Sequence, residues 1–119
     1  MWPARLSGKQ QQGQAWEQRA LAYLVSRGLT LVETNYHCKS GEIDLILRDG
    51  PVLVFVEVRQ RAANTHGGAA ASITPAKIRR VVRAAHTYLQ RFPSLPECRI
   101  DVVAIDGEHI DWLRGAIEV

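Results

Sequence analysis

Gly41-Glu42-Ile43-Asp44-Leu45-Ile46-Leu47-Arg48-Asp49-Gly50, followed by Pro51-Val52-Leu53-Val54-Phe55-Val56-Glu57-Val58-Arg59, is the stretch whose reading decides the fold. In its first half Ile43, Leu45 and Leu47 alternate with Glu42, Asp44 and Arg48, the period of a half-buried strand. In its second half Val52, Val54, Val56 and Val58 line one face, and the strand is so apolar that it belongs at the centre of a sheet. Asp49-Gly50 is a strong hairpin signal between them. A two-residue turn at that dipeptide pairs Arg48 with Pro51, Asp44 with Phe55 and Glu42 with Glu57. Glu42, Asp44 and Glu57 then share a face. Asp44 and Glu57 become diagonal cross-strand neighbours, about 7 to 8 Å apart at the backbone, close enough for two carboxylates to converge on one hard cation.

A carboxylate between Val56 and Val58 in a central strand is costly, on the order of several kcal/mol, unless something compensates its charge. One answer is a structural ion pair, Glu57 with Arg59 or Asp44 with a nearby arginine. The other is a site. Two acids on adjacent strands, with a cation two residues after the second, are what metal-assisted phosphodiester hydrolysis uses. The acids hold Mg²⁺ or Mn²⁺, the ion acidifies its water, and the cation stabilises charge building on the phosphate.

The flanking sequence completes an α/β order. Residues 1–13 are polar and Gln-rich and read as an N-terminal arm, leaving residues 14–119 as one domain. Trp16, Ala20, Tyr23 and Leu24 recur at helical spacing over residues 14–27, with Gly28 as the cap. A strand over residues 29–36 and a turn at 37–41 lead into the two strands above. Residues 60–73, with Gly67-Gly68 and Ala69-Ala70-Ala71-Ser72, form the long loop. Thr74-Pro75 caps a second helix, whose stripe of Ile78, Val81, Val82, Ala85, Leu89 and Phe92 runs to Pro93. Strands at 99–105 and 109–113 follow, joined by Asp106-Gly107. The expectation is α-β-β-β-α-β-β on a mixed five-stranded sheet.

At 119 residues the chain has the length of one domain, and 46% hydrophobic against 23% charged residues describes a chain that buries a core. The longest apolar stretch, residues 51–56, is far below the ~18 of a membrane span. No secretory pattern opens the chain, so a cytoplasmic location is expected. Cys38 and Cys98 read as reduced thiols, and His37, His66, His86 and His109 lack metal-ligand spacing. No phosphate-loop or Gly-x-Gly-x-x-Gly pattern appears, which excludes nucleotide-cofactor readings. Twelve of the fifteen Lys and Arg residues are arginines, a hint toward phosphate recognition. Lys77, Arg80, Arg83 and Arg91 fall along the second helix, either as a solvated face or as a phosphate-tracking patch. Glu17 falls near the buried side of the first helix, Asp101 has a structural role, and Gln60 faces away from the acids unless its strand bulges.

The segments Gly41-Glu42-Ile43-Asp44-Leu45-Ile46, Val54-Phe55-Val56-Glu57-Val58-Arg59 with Arg61, Gly67-Gly68-Ala69-Ala70-Ala71-Ser72 and Arg99-Ile100-Asp101-Val102-Val103-Ala104, in that order, resemble the YraN-like family of small bacterial proteins. That family is in turn similar to the PD-(D/E)-X-K nucleases and archaeal Holliday junction resolvases. The resemblance implies a restriction-endonuclease-like core in which Asp44 and Glu57 bind Mg²⁺ or Mn²⁺, the Val58 carbonyl assists, and Glu17 is a further acid. The superfamily usually has lysine where this chain has Arg59. A guanidinium stays protonated and clamps phosphate but cannot act as a base, so Lys77 becomes a candidate source of an ammonium group.

Three functions are therefore expected, in order: a metal-dependent nuclease acting on DNA, branched or structured DNA included; a nucleic-acid-binding module that kept the fold without catalysis; and a partner-binding scaffold in which the acids are an ion-pair network. A homodimer is implied by the resemblance alone.

Overall fold

Alternation and helical periodicity become two helices and five strands among the residues described by a computed structural model, 8–60 and 73–119. The order is α1 (Gly8–Ser26), β1 (Thr30–Cys38), β2 (Gly41–Asp49), β3 (Val52–Gln60), α2 (Pro75–Leu89), β4 (Cys98–Asp106) and β5 (His109–Ile117). The first seven residues of the expected arm, Arg61 and the Gly67-Gly68 loop lie outside the described residues. The α-β-β-β-α-β-β order and mixed sheet agree with the sequence reading. The largest boundary differences are that α1 begins at Gly8 rather than 14, α2 ends at Leu89 rather than at Pro93 and β5 continues to Ile117; β1 also runs to Cys38 and β2 starts at Gly41, where a turn over 37–41 was expected.

The strands stand in chain order, β1-β2-β3-β4-β5, antiparallel except where β3 and β4 run parallel. A parallel pair needs a crossover, and α2 lies in it. On the α2 face Val81, Ala84, Ala85 and Tyr88 pack on Ile43, Ile46, Leu53, Phe55 and Ile100. On the α1 face Ala20 and Leu24 pack on Leu45, Leu47, Val54, Val56 and Val103. Both helix ends are sealed as the sequence indicates. Gly28, at φ 98, and Leu29 return their N–H groups to Val25 and Leu24, and the Thr74 hydroxyl accepts the Lys77 N–H.

The β2–β3 turn corrects the expected register. Asp49 pairs with Val52 and Leu45 with Val56, so the two turn residues are Gly50 and Pro51. Gly50 supplies φ 59, and Pro51, lacking an N–H, suits the turn and not a ladder position. Asp49 is kept in the strand end, where its carboxylate accepts from the Arg99 guanidinium at 2.9 Å. Relative to the expected pairing, every residue of β3 moves two places along β2, which preserves the faces.

Asp101 closes the other side of the sheet. It is fully buried, and its two oxygens accept from Arg99 Nε at 3.0 Å, Trp112 Nε1 at 2.9 Å and the Gly115 backbone N–H at 2.8 Å. The β4–β5 register shifts between Ile100 and Val102, and Gly115, at φ 60, lies in that irregularity. The bulge carries β5 past the point at which Arg114-Gly115 would otherwise end it. Asp101→Ala leaves an arginine, an indole N–H and a backbone N–H without their acceptor. The expected cost is about 3–5 kcal/mol in urea unfolding, with β5 amides losing hydrogen-exchange protection first.

Candidate functional site

The β2–β3 ladder stops at Leu45–Val56, and the next pair in that register is Asp44 with Glu57. Glu57 thus stands abreast of Asp44, nearer than the diagonal the sequence suggested. The strand alternation also breaks here. Ile43 packs into the α2-side core and Leu45 into the α1-side core, although alternation would put them on one face. Between them Asp44 turns sideways, and its carboxylate accepts the Val58 N–H at 2.8 Å. A side chain has taken the donor that a continuing ladder would have used. The two strands part, and a cleft of about 330 Å³ opens, lined by Trp16, Glu17, Glu42, Asp44, Glu57, Val58, Arg59, Gln60 and Lys77.

α1 brings Glu17 into this cleft beside Asp44, and Asn35 of β1 acts on the same Glu17 carboxyl, favouring its charged form against burial. Asn35 has φ 52, a conformation that asparagine tolerates better than most residues. Glu57 is 6% exposed, and Asp44 lies between the two glutamates. Burial pushes Glu57 up to about 8, with the Asp44 charge adding to it and the Arg59 and Lys77 charges opposing it. Burial likewise lifts Glu17 to about 7, reinforced by Asp44 and Glu42. Asp44 is raised by burial too, against the stabilising Val58 N–H. Burial and the Asp44 charge thus both oppose ionisation of Glu17 and Glu57.

Two cations come close. Arg59 Nη1 is 3.4 Å from the Glu57 carboxylate, so the ion-pair alternative for this residue is present in the structure. Lys77, in the first turn of α2, acts electrostatically on both Asp44 and Glu57. Its place in the crossover, immediately after the long loop, puts an ammonium beside the acids. Gln60 lines the cleft without the bulge expected to be necessary, because the β3–β4 register is continuous through Gln60–Ile105. Arg80 and Arg83 are exposed on α2. Arg91 leaves the expected patch: its guanidinium sits 3.7 Å over the Tyr88 ring and pairs with Glu33 at 3.8 Å. Trp16, Asn35 and the register at Asp44 were beyond sequence reasoning, since each depends on contacts distant in the chain.

The donor set suits a hard divalent ion. Among the described residues no three His, Cys, Asp or Glu side chains are arranged to hold a metal by themselves. Asp44 and Glu57 offer two carboxylates, and Mg²⁺ commonly takes one or two, completing its shell with water and substrate phosphate. Among the described residues the buried Trp16 indole N–H, on the α1 side of the cleft, has no hydrogen-bond partner.

The chain belongs to the family described as "Uncharacterised protein family UPF0102", whose match spans residues 16–105 and so includes every element of the cleft. It is 57% identical over 106 residues to a UPF0102 protein of Herminiimonas arsenicoxydans, covering 89% of this chain and 86% of that one. It is 58% identical over 113 residues to a UPF0102 protein of Methylibium petroleiphilum, covering 89% and 93%. With the UPF0102 protein of a Janthinobacterium strain it shares 54% identity over 112 residues, covering 94% and 91%. No helix among the described residues is long and apolar enough to cross a membrane.

A glutamate whose native pKa is raised binds more protons folded than unfolded, so its contribution to stability falls as pH rises from the ordinary glutamate range toward the native value. With Glu17 near 7 and Glu57 near 8, the metal-free protein should melt at least about 5 °C lower at pH 8 than at pH 5. Glu57→Gln should raise the pH 8 melting temperature and flatten this dependence, measured by thermal unfolding in EDTA.

Proposed function

We propose that this protein hydrolyses phosphodiester bonds in DNA, branched or structured DNA included, with Mg²⁺ or Mn²⁺ as cofactor. One observation carries the reading: Asp44, seated by the Val58 N–H at a break in the ladder, faces Glu57 and Glu17 in a cleft that also receives Arg59 and Lys77. A scaffold ion pair would need one acid for one base. Here Glu17 and Glu57 each press on Asp44 in a part-buried opening, and Arg59 and Lys77 offset only part of that charge at Glu57.

In this reading Asp44 and Glu57 hold the ion, with the Val58 carbonyl as a further oxygen. The bound ion supplies an acidified water and a counter-charge for the phosphate. The chain's own groups do the rest. The Val58 N–H orients Asp44, Arg59 and Lys77 draw the phosphate to the acids and offset charge developing on it, and Glu17 is an auxiliary acid on the α1 wall. Lys77 occupies functionally the place where nucleases of this kind usually carry a lysine on the strand, leaving Arg59 as the clamp. A homodimer would present two clefts to one branched substrate, in the cytoplasm.

A second reading rests on the Glu57–Arg59 contact, which partly neutralises the acid by itself: a module that binds nucleic acid and does not cut it. Four-way, flap, single-stranded and duplex DNA incubated with Mg²⁺ or Mn²⁺ separate the two. The nuclease reading expects metal-dependent cleavage, lost about 100-fold or more in Asp44→Asn and in Lys77→Ala, with both variants folded. Cleavage undiminished by either substitution overturns the residue assignment. DNA binding in EDTA without cleavage under any metal, unaffected by Glu57→Gln, establishes the binding module instead.

A further inference from the structure

A second cleft, of about 370 Å³, adjoins the first across Glu57, Glu42 and Lys77, which line both. Its walls come from the β1–β2 turn, which carries Lys39 and Ser40, and from the first turns of α2, which carry Lys77 and Arg80. The turn is pressed hard onto the helix: a Cβ added at Gly41, at φ 153, would lie 3.0 Å from the Arg80 carbonyl oxygen. Only glycine lets the two backbones approach so closely, and this approach brings Lys39 and Arg80 to one cavity.

The charges of this cleft are unequally matched. Its acids have partners: Glu42 is paired with His37 at 3.1 Å and Glu57 with Arg59 at 3.4 Å. Lys39 and Arg80 line the same cavity and have no salt-bridge partner among the described residues, and Lys77, whose charge also bears on Asp44 and Glu57, lines it with them. Two ammonium groups and one guanidinium lining one concave site suit phosphate oxygens. Arg83, one turn further along α2, is exposed and lines neither cleft.

We infer that this cleft is a phosphate subsite, formed by Lys39, Lys77 and Arg80, which holds a nucleic-acid phosphate next to the one at Asp44 and Glu57. The inference rests on the function proposed above but concerns recognition and not hydrolysis. A strand lying across both clefts would pass Glu57 with one phosphate on each side. Sequence-independent attraction along all of α2 becomes, in this arrangement, a discrete contact in which the β1–β2 turn takes part and Arg83 does not.

The test keeps cleavage out by working in EDTA, so an inactive protein does not decide it. ¹⁵N-labelled protein is titrated with a thymidine dinucleotide bearing a terminal phosphate and, separately, with the unphosphorylated dinucleotide; the two arms distinguish a monoester from a diester occupant. Amide shifts are expected at Lys39, Ser40, Gly41 and Arg80 with at least one of the probes. Lys39→Ala and Arg80→Ala should each weaken that binding about 10-fold, with Arg83→Ala near wild type. Because neither Lys39 nor Arg80 is buried, both variants should fold, which the same spectra check. Absence of shifts at the turn and α2 with both probes, or equal losses for Lys39→Ala and Arg83→Ala, overturns the subsite and leaves the nuclease reading to its own assay.

Discussion

The hydrogen bond from the Val58 N–H to the Asp44 carboxylate, 2.8 Å long, is the contact on which the open end of this sheet depends. Buried backbone donors must be satisfied, and in a sheet the neighbouring strand normally does it. Here a side chain satisfies one, and β2 is released from β3 beyond the Leu45–Val56 pair. The release lets Ile43 turn into the α2-side core while Leu45 stays in the α1-side core. Each helix therefore borders the gap from its own side, α1 with Trp16 and Glu17 and α2 with Lys77. Had the ladder continued, Asp44 would lie flat on one face and no cleft would separate the strands.

The same gap explains the electrostatics. The acids are lifted chiefly by burial, and they remain close because backbone elements, not their mutual attraction, hold them. On the neighbouring strand β4, where it pairs with Val56, Asp101 presents the contrary case. It is as deeply buried as any residue in the core, yet Arg99, Trp112 and Gly115 give it full coordination by donors, and it has no need of a ligand. Two buried acids in one small sheet thus have different meanings. Asp101 is answered from within the fold, and Glu57 only in part, by Arg59.

Much of this could be read along the chain. The hydrophobic pattern from Ile43 to Val58, the Thr74-Pro75 start of α2 and the Gly28 end of α1 located the elements, because each signal acts over a few residues. The register of the central hairpin was misjudged for a local reason: Asp49-Gly50 is the stronger turn dipeptide, but Pro51 cannot donate to a ladder and Asp49 is held by Arg99, fifty positions away. Arg91 was assigned to a basic surface from helical spacing, whereas in the fold it lies over an aromatic pair, Tyr36 and Tyr88, that meet edge to face. β5 continues beyond Leu113 because Asp101 accepts the Gly115 N–H, a bond that strand propensity does not encode.

By itself the sequence determined the α-β-β-β-α-β-β order, the central position of β3 and the pairing of Asp44 with Glu57 as the acids of interest, since periodicity and the cost of a buried charge are properties of neighbouring residues. The tertiary structure alone decided how Glu17 and Lys77, already nominated for the site, reach those acids, that Asn35 meets Glu17, and that the Lys39 turn meets Arg80 over Gly41. These groups come from separate elements, and their distances are set by how two helices seat on opposite faces of one sheet. A net charge of only +3 concealed that arrangement, because a sum over the chain carries no information about which charges the fold brings together.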